Sequence, residues 1–305
     1  MSILRSSSGP RGVLTGLVAL AVAALLLWHG MLPDVLGAAS LVETFLPWLG
    51  VVVLLLGLAA ILRLSLFAGL CVAAAATVWG LAFGPALLPG MGTGPAALTI
   101  ASENIHADNA AAASIARDLE SRDPDVIALQ ELDATSLGAV QAVLDSRYPH
   151  SEVVGTVGVW SKVAIADSGR LDLGLGWDRA LWIDLETAVA PTRLYAVHLA
   201  SVRPGQYEQR DTMLKELADT VKTDESSRIV VVGDFNTAST DRKFTPLLSE
   251  LTEAADSDLG LGFTWPAEFP VARLDHALVR GLGTVSSTVL PDNGSDHRGI
   301  LVGLR

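Results

Sequence analysis

Eight polar side chains stand at the ends of apolar stretches in the C-terminal two thirds of the chain. They are Asn104 in Ser-Glu-Asn-Ile-His, Glu131 in Ile-Ala-Leu-Gln-Glu-Leu, His198 in Tyr-Ala-Val-His-Leu, Asp234 and Asn236 in Val-Val-Val-Gly-Asp-Phe-Asn-Thr, Asp275 in Arg-Leu-Asp-His-Ala-Leu, and Asp296 and His297 in Gly-Ser-Asp-His-Arg-Gly. Each alone has an ordinary structural explanation as a turn, a cap or a hydrogen-bonded core histidine. As a set they offer oxygen ligands for a hard cation and carboxylate and imidazole groups for acid and base work. Other chemistries lack their residues. The sequence contains no Gly-x-x-x-x-Gly-Lys phosphate loop, no His-Glu-x-x-His, no Gly-x-Ser-x-Gly elbow and no Cys-x-x-Cys.

The elements that must position these residues alternate between strand and helix patterns. Strands are expected at 97–105, 126–130, 153–166, 180–185, 193–199, 228–232, 277–279 and 300–304, and helices at 109–121, 135–145 and 204–223, the last with Met213, Leu214, Leu217 and Val221 on one face. This is a mixed α/β domain whose polar residues fall where strands end, the place where open α/β sheets put their sites.

The motifs Gln130-Glu131, Gly233-Asp234-Phe235-Asn236, Leu274-Asp275-His276 and Ser295-Asp296-His297-Arg298 follow one another in a familiar order. From Leu98 to Arg305 the chain resembles the endonuclease/exonuclease/phosphatase superfamily, which includes DNase I-like nucleases, inositol polyphosphate phosphatases and neutral sphingomyelinases. The resemblance implies a four-layer α-β-β-α sandwich and metal-dependent hydrolysis of a phosphate ester or anhydride. That chemistry needs a cation on the phosphoryl oxygens, an activated water and donors for the developing charge. By resemblance, Glu131, with Asn104 close to it and Asp296 nearby, binds Mg²⁺, with Mn²⁺ as the alternative; Asp234 orients or deprotonates the water; Asn236 hydrogen-bonds the phosphate. His297, held by Asp275, faces the phosphoryl group, and His198 adds a second donor. Arg179 is a candidate phosphate-binding residue, as is the Trp160-Ser161-Lys162 segment.

Two residues depart from the family pattern. His106 stands where some members carry an acidic ligand, which leaves a three-histidine zinc site from His106, His198 and His297 as an alternative, although carboxylates and amides suit a hard cation better. Gly299 stands where a proline often follows. Trp177, Trp265 and Phe269 read as core residues, with contact to a lipid chain as the alternative.

Composition divides the chain in two. Of 305 residues 50% are hydrophobic and 18% charged, with a mean hydropathy of +0.43, too apolar for an ordinary soluble domain. The excess lies in residues 1–91, which carry only Arg5, Arg11, Asp34, Glu43 and Arg63 as charged groups. Three uncharged runs, 12–33, 44–62 and 64–84, are each near the ~20 residues needed to span a hydrocarbon core. The first is longer than the apolar core of a signal peptide and two more follow it, so it reads as a span. The expected organisation is therefore a membrane anchor of three transmembrane helices at 1–89, a Gly-rich linker at 90–97 and a catalytic domain at 98–305. Arg5, Arg11 and Arg63 mark the cytoplasmic side, and three spans then place the catalytic domain outside a multi-pass cell-membrane protein. The single cysteine, Cys71, leaves no intrachain disulfide.

Residues 92–305 hold 18 basic and 31 acidic residues, which argues against a broad DNA-binding face. An anchored, outward-facing domain gains effective concentration only for substrates confined to the same surface. The arrangement is similar to membrane-bound relatives associated with teicoplanin resistance, and the expected substrate is a lipid-linked phosphate or diphosphate such as undecaprenyl diphosphate. An extracytoplasmic nuclease and a catalytically silent binding domain are the competing readings. The bilayer is the one expected partner besides the lipid substrate; no protein partner is legible.

Overall fold

The computed structural model describes residues 12–88, 92, 94–202, 207–254 and 260–305. Arg5, Arg11, residues 90, 91 and 93 of the Gly-rich linker and the start of the helix expected from Pro204 lie outside the described residues.

The N-terminal part is helical: α1 (Val13–Trp28), α2 (Ala38–Thr44), α3 (Leu49–Leu62) and α4 (Leu66–Leu87). Two segments are long and apolar enough to cross a membrane, Val13–Met31 and Leu66–Leu87. The second expected span departs from expectation. A separate helix precedes it, and Ala38–Thr44 meets Leu46–Leu62 at a bend of 52°, so that the described residues hold two such spans, or three if the bent pair counts as one. Pro47 in the short 3₁₀ turn Leu46–Trp48 supplies the break. The helices close on one another through small residues: a Cβ on Gly16 would lie 2.5 Å from Phe67 and one on Gly50 2.5 Å from Trp79. Ala19, Ala23, Cys71 and Ala75 fill the seam, while Leu14, Leu54, Leu62, Leu66 and Leu81 point outward and exposed.

The remainder builds two six-stranded sheets. Its strands are β1 (Leu98–Asn104), β2 (Val126–Gln130), β3 (His150–Val154), β4 (Val157–Ser161), β5 (Ile165–Arg170), β6 (Ala180–Leu185), β7 (Thr192–His198), β8 (Ile229–Asp234), β9 (Thr252–Glu253), β10 (Asp275–Arg280), β11 (Thr284–Val289) and β12 (Ile300–Leu304), and its helices are α5 (Ala112–Ser121), α6 (Ala134–Leu144), α7 (Tyr207–Thr223) and α8 (Thr245–Leu248). One sheet has the order β11-β12-β1-β2-β4-β3, the other β5-β6-β7-β8-β10-β9. Alternation along each strand decides the layers. Ile100, Val126, Ile183, Val230 and Val302 meet between the sheets. Ile127 and Leu129 pack outward against Ile115 and Leu119 of α5, and Val231 packs outward against Leu214 and Leu217 of α7. The result is the expected α-β-β-α sandwich.

Two expectations are corrected. The strand expected over 153–166 is three strands, because Gly155, at φ 56°, turns the chain back so that β3 and β4 pair antiparallel. Strand β11 was not expected: Thr-Val-Ser-Ser-Thr-Val lies at a sheet edge and is mostly half-buried, so it lacks an apolar run.

Each sheet carries one parallel pair at its centre, β1 with β2 through α5 and β7 with β8 through α7. Both pairs end at the same rim of the sandwich, and the antiparallel neighbours β10 and β12 begin there.

Candidate active site

Register brings the polar residues together. His198 is the Cα partner of Asp234 across β7 and β8, and Asp275 is the partner of Asp234 across β8 and β10. These three share one row and one face of the second sheet. Gly233 permits the approach, since a Cβ there would lie 2.0 Å from the Val197 carbonyl oxygen. From the first sheet Asn104 ends β1 beside Gln130, the last residue of β2. Its Nδ2 donates to Glu131 Oε1 at 3.1 Å and to Asp234 Oδ2 at 3.0 Å, a bridge between the sheets.

Backbone strain marks the rim. His106, Glu131 and Asn236 have φ of 63°, 62° and 48°, left-handed values that cost non-glycine residues of order 1–3 kcal/mol. Asn236 completes a turn in which its N–H donates to Asp234 Oδ1 at 2.8 Å. Its Nδ2 donates to Leu199 O at 2.9 Å and Asp234 Oδ2 at 3.1 Å, so the amide expected to meet phosphate holds Asp234 here.

Burial pushes both histidines toward the neutral form, and their neighbours set them apart. His297 Nδ1 lies 2.9 Å from Asp275 Oδ2. Burial alone would keep the ring neutral, but the Asp275 carboxylate, and then Asp234 at 3.9 Å from Nε2, outweigh it and carry the pKa up to about 10. His198 is held well below its ordinary value, first by burial and then by Arg179, whose Nη2 lies 2.9 Å from Nδ1 and 2.8 Å from Nε2. Asp234 is pushed up to about 6 by burial, against the attraction of His297. Near neutral pH the site thus holds an imidazolium, a neutral imidazole and a carboxylate suited to accept a proton.

Asp234, Asp275 and His297 lie close enough to hold a metal ion. Within that cluster His297 Nδ1 is already engaged by Asp275 Oδ2 at 2.9 Å. Glu131 is the better ligand: half-exposed in the cleft, it accepts one bond on each oxygen, from Asn104 Nδ2 and from Ala107 N at 2.9 Å. Lone pairs remain on both oxygens, as a hard cation that keeps several waters requires. Asp296 lines the cleft too, with His106 Nδ1 3.3 Å from its Oδ1 and 3.9 Å from Glu131 Oε2. Asn104 turns its NH₂ to Glu131 while its oxygen accepts from His106 N, so it braces the carboxylates and presents a cation no oxygen in this orientation.

The cleft has a volume of about 430 Å³, and one of its walls comes from the N-terminal helices: Ser40, Leu41, Thr44 and Phe45 face Glu131, Asp234 and His297 across it. No sequence signal pointed to those four. The join is polar and buried. Arg242 donates from its backbone N and its Nε to Glu43, at 3.0 and 2.9 Å, and to the carbonyls of His29, Gly30 and Leu32. Thr240 Oγ1 donates to Glu43 O at 2.7 Å. Arg210, fully buried, reaches Ser40 Oγ at 2.7 Å and Asp241 Oδ2 at 3.0 Å.

The aromatic expectation is corrected. Trp177, Trp265 and Phe269 are exposed and not core residues. Trp265 lines the cleft, and Trp177 lies under the Arg179 guanidinium, 5.6 Å from ring centroid to Cζ. Arg179 touches the site through His198. Trp160 is buried in the outer core and Lys162 pairs with Asp123 at 2.6 Å, so that segment does not enter the cleft. Gly299 has a local cause: a Cβ there would lie 2.6 Å from Glu103 Oε2.

The sequence model of the endonuclease/exonuclease/phosphatase family matches residues 78–297. The chain belongs to that family. Its members are metal-dependent hydrolases of phosphate esters, and this chain is one of them. Solved structures repeat the fold at low identity. A mannosyl-6-phosphatase of Bacteroides thetaiotaomicron is 18% identical with a TM-score of 0.57 and covers 68% of this chain and 99% of its own. TDP2 of D. rerio complexed with single-strand DNA product is 19% identical with a TM-score of 0.59, covering 68% and 98%. A Staphylococcus aureus beta toxin variant with bound magnesium ions is 15% identical with a TM-score of 0.53, covering 68% and 99%. No curated protein matches the sequence.

Proposed function

We propose that the protein hydrolyses a lipid-linked phosphate or diphosphate at the membrane surface, with undecaprenyl diphosphate as the leading substrate. The observation that carries this reading is the shared cleft: α2 and Phe45, continuous with the apolar helices, form one wall of the cavity into which Glu131, Asp234 and His297 project. A phosphate bound there sits against the end of the helical bundle, where the head group of a membrane lipid lies. The bent pair counts as a third span in this reading, because α3 starts at the catalytic rim, where Trp48 Nε1 donates to Val271 O at 2.8 Å, and ends at Arg63 beside α4. Arg63 then marks the cytoplasmic face and the cleft faces outward.

Glu131 and Asp296 would hold Mg²⁺, which when bound would neutralise the phosphoryl oxygens. Asp234 Oδ2 takes the proton of the attacking water, and Asn104 and Asn236 fix its carboxylate. The His297 imidazolium, kept charged by Asp275, donates to a phosphoryl oxygen as negative charge develops, and neutral His198 adds a donor at the inner end. The new bond joins the water oxygen to phosphorus, and the bond broken is the one to the bridging oxygen.

The test offers purified full-length protein with Mg²⁺ three substrates, undecaprenyl diphosphate, a phosphodiester lipid and DNA, alongside Asp234→Ala and His297→Ala. Phosphate release from the diphosphate lipid, reduced about 100-fold or more in both variants, is the expected result. Cleavage of DNA alone would replace this reading with that of a nuclease, and turnover of none of the three would make the domain a binding module.

A further inference from the structure

A second cavity, of about 300 Å³, opens on the other side of the Phe45–Trp48 elbow, between α3, α4 and the loop at residues 261–263. All its lining residues are nonpolar, with Trp48, Val51, Leu54, Ala76, Trp79 and Phe263 forming most of the wall. The two groups that could have made it polar are engaged elsewhere: Trp48 Nε1 donates to Val271 O and Trp79 Nε1 to Pro47 O, both at 2.8 Å. The indole rings therefore offer carbon faces to the groove, Trp48 in a stack with Phe263 at 5.9 Å between centroids. A ligand here gains from burial of hydrocarbon and from nothing else.

The groove and the catalytic cleft are lined by neighbouring residues of the same two chain segments. Thr44 and Phe45 line the cleft and Pro47 and Trp48 the groove; Phe263 lines the groove and Trp265 the cleft. Trp48 is tied to Val271, next to Ala272 of the cleft wall. A molecule with a phosphate in the cleft and a chain entering the bundle would lie against the same two chain segments along its length.

We propose that this groove seats the hydrocarbon chain of the phosphate-bearing lipid whose head group occupies the catalytic cleft. The inference rests on the lipid-phosphatase reading and adds to it a chain-recognition site that sets which lipid is taken.

Ala76→Phe fills the groove from an exposed position on α4, and Ala73→Phe makes the same change at an exposed position outside it. In full-length protein, Ala76→Phe is expected to raise KM for undecaprenyl diphosphate about tenfold through lost chain burial and to leave kcat/KM for five-carbon isopentenyl diphosphate unchanged; Ala73→Phe should alter neither. A diazirine in the chain of a long-chain alkyl phosphate should label residues 48–54 and 76–79 in the wild type and not in Ala76→Phe. Equal labelling by diazirine phosphatidylcholine, or an unchanged KM in Ala76→Phe, would overturn the groove assignment while leaving the lipid-phosphatase reading intact. Absence of lipid-phosphate turnover by the wild type would overturn that reading instead, and the labelling pattern alone would then decide the groove.

Discussion

His297 and Asp234 owe their protonation states to neighbours as much as to burial, and Asp275 is the neighbour that matters most to His297. Asp275→Asn keeps the shape and removes the charge, so the imidazole should lose its proton near neutral pH. The expected result is a fall in kcat of about 100-fold, with the NMR titration of His297 moved down from about 10. Glu103 supplies a separate test. Burial raises its pKa from 4.5 to about 8, Asn293 opposing. An acid so raised keeps its proton when folded and loses it when unfolded, so stability falls as pH rises from 4.5 to about 8. Glu103→Gln should flatten thermal stability across that window, and an unchanged slope would exclude Glu103 as its source. The clustered polar set was legible in the sequence, because each member stands at or near one end of an apolar strand. What was not legible is the direction in which each side chain turns: Asn104 spends its amide on Glu131 and on Asp234 of the other sheet, and Asn236 turns its amide back onto Asp234 two residues earlier.

The element that most changes the account is α2. Its Leu41, Val42 and Phe45 read in sequence as the loop and first turn of a span, and Glu43 as a loop charge. In the structure Glu43 is fully buried and paired with Arg242, 199 residues later, a distance over which no local pattern carries information. Glu43→Gln leaves the partly exposed Arg242 guanidinium without its carboxylate but with its carbonyl acceptors, a loss below the ~3–5 kcal/mol of a fully buried pair. It should lower the unfolding temperature of the full-length protein and weaken turnover of the lipid, whereas a melting curve identical to wild type would show the join to be energetically idle. By contrast β1, β2, α7 and β12 were legible nearly to the residue, since burial of one face imposes a period that local sequence records. Edge strand β11 and the turn at Gly155 were not, one for want of apolar residues and the other because a single backbone angle decides it.

At the scale of the whole molecule the division into an apolar N-terminal part and an acidic two-sheet part was visible in composition, whereas their buried polar junction was not. The proposed orientation has its own test. Cys71 is buried among the helices, so an introduced cysteine reports with little background. Lys215→Cys, on exposed α7, should react with an impermeant maleimide in intact cells. Leu64→Cys, at the exposed turn after α3, should react only after permeabilisation, and the reverse pattern would invert the topology. The bond from buried Arg210 to Ser40 also bears on biosynthesis. Synthesis runs from the N-terminus and domains fold in that order, so α2 is in place before α7 is made. The guanidinium of Arg210 has its full set of acceptors only once the late domain has settled onto the early helices. A catalytic domain not docked on its N-terminal helices would therefore carry, in its core, a guanidinium short of its Ser40 acceptor.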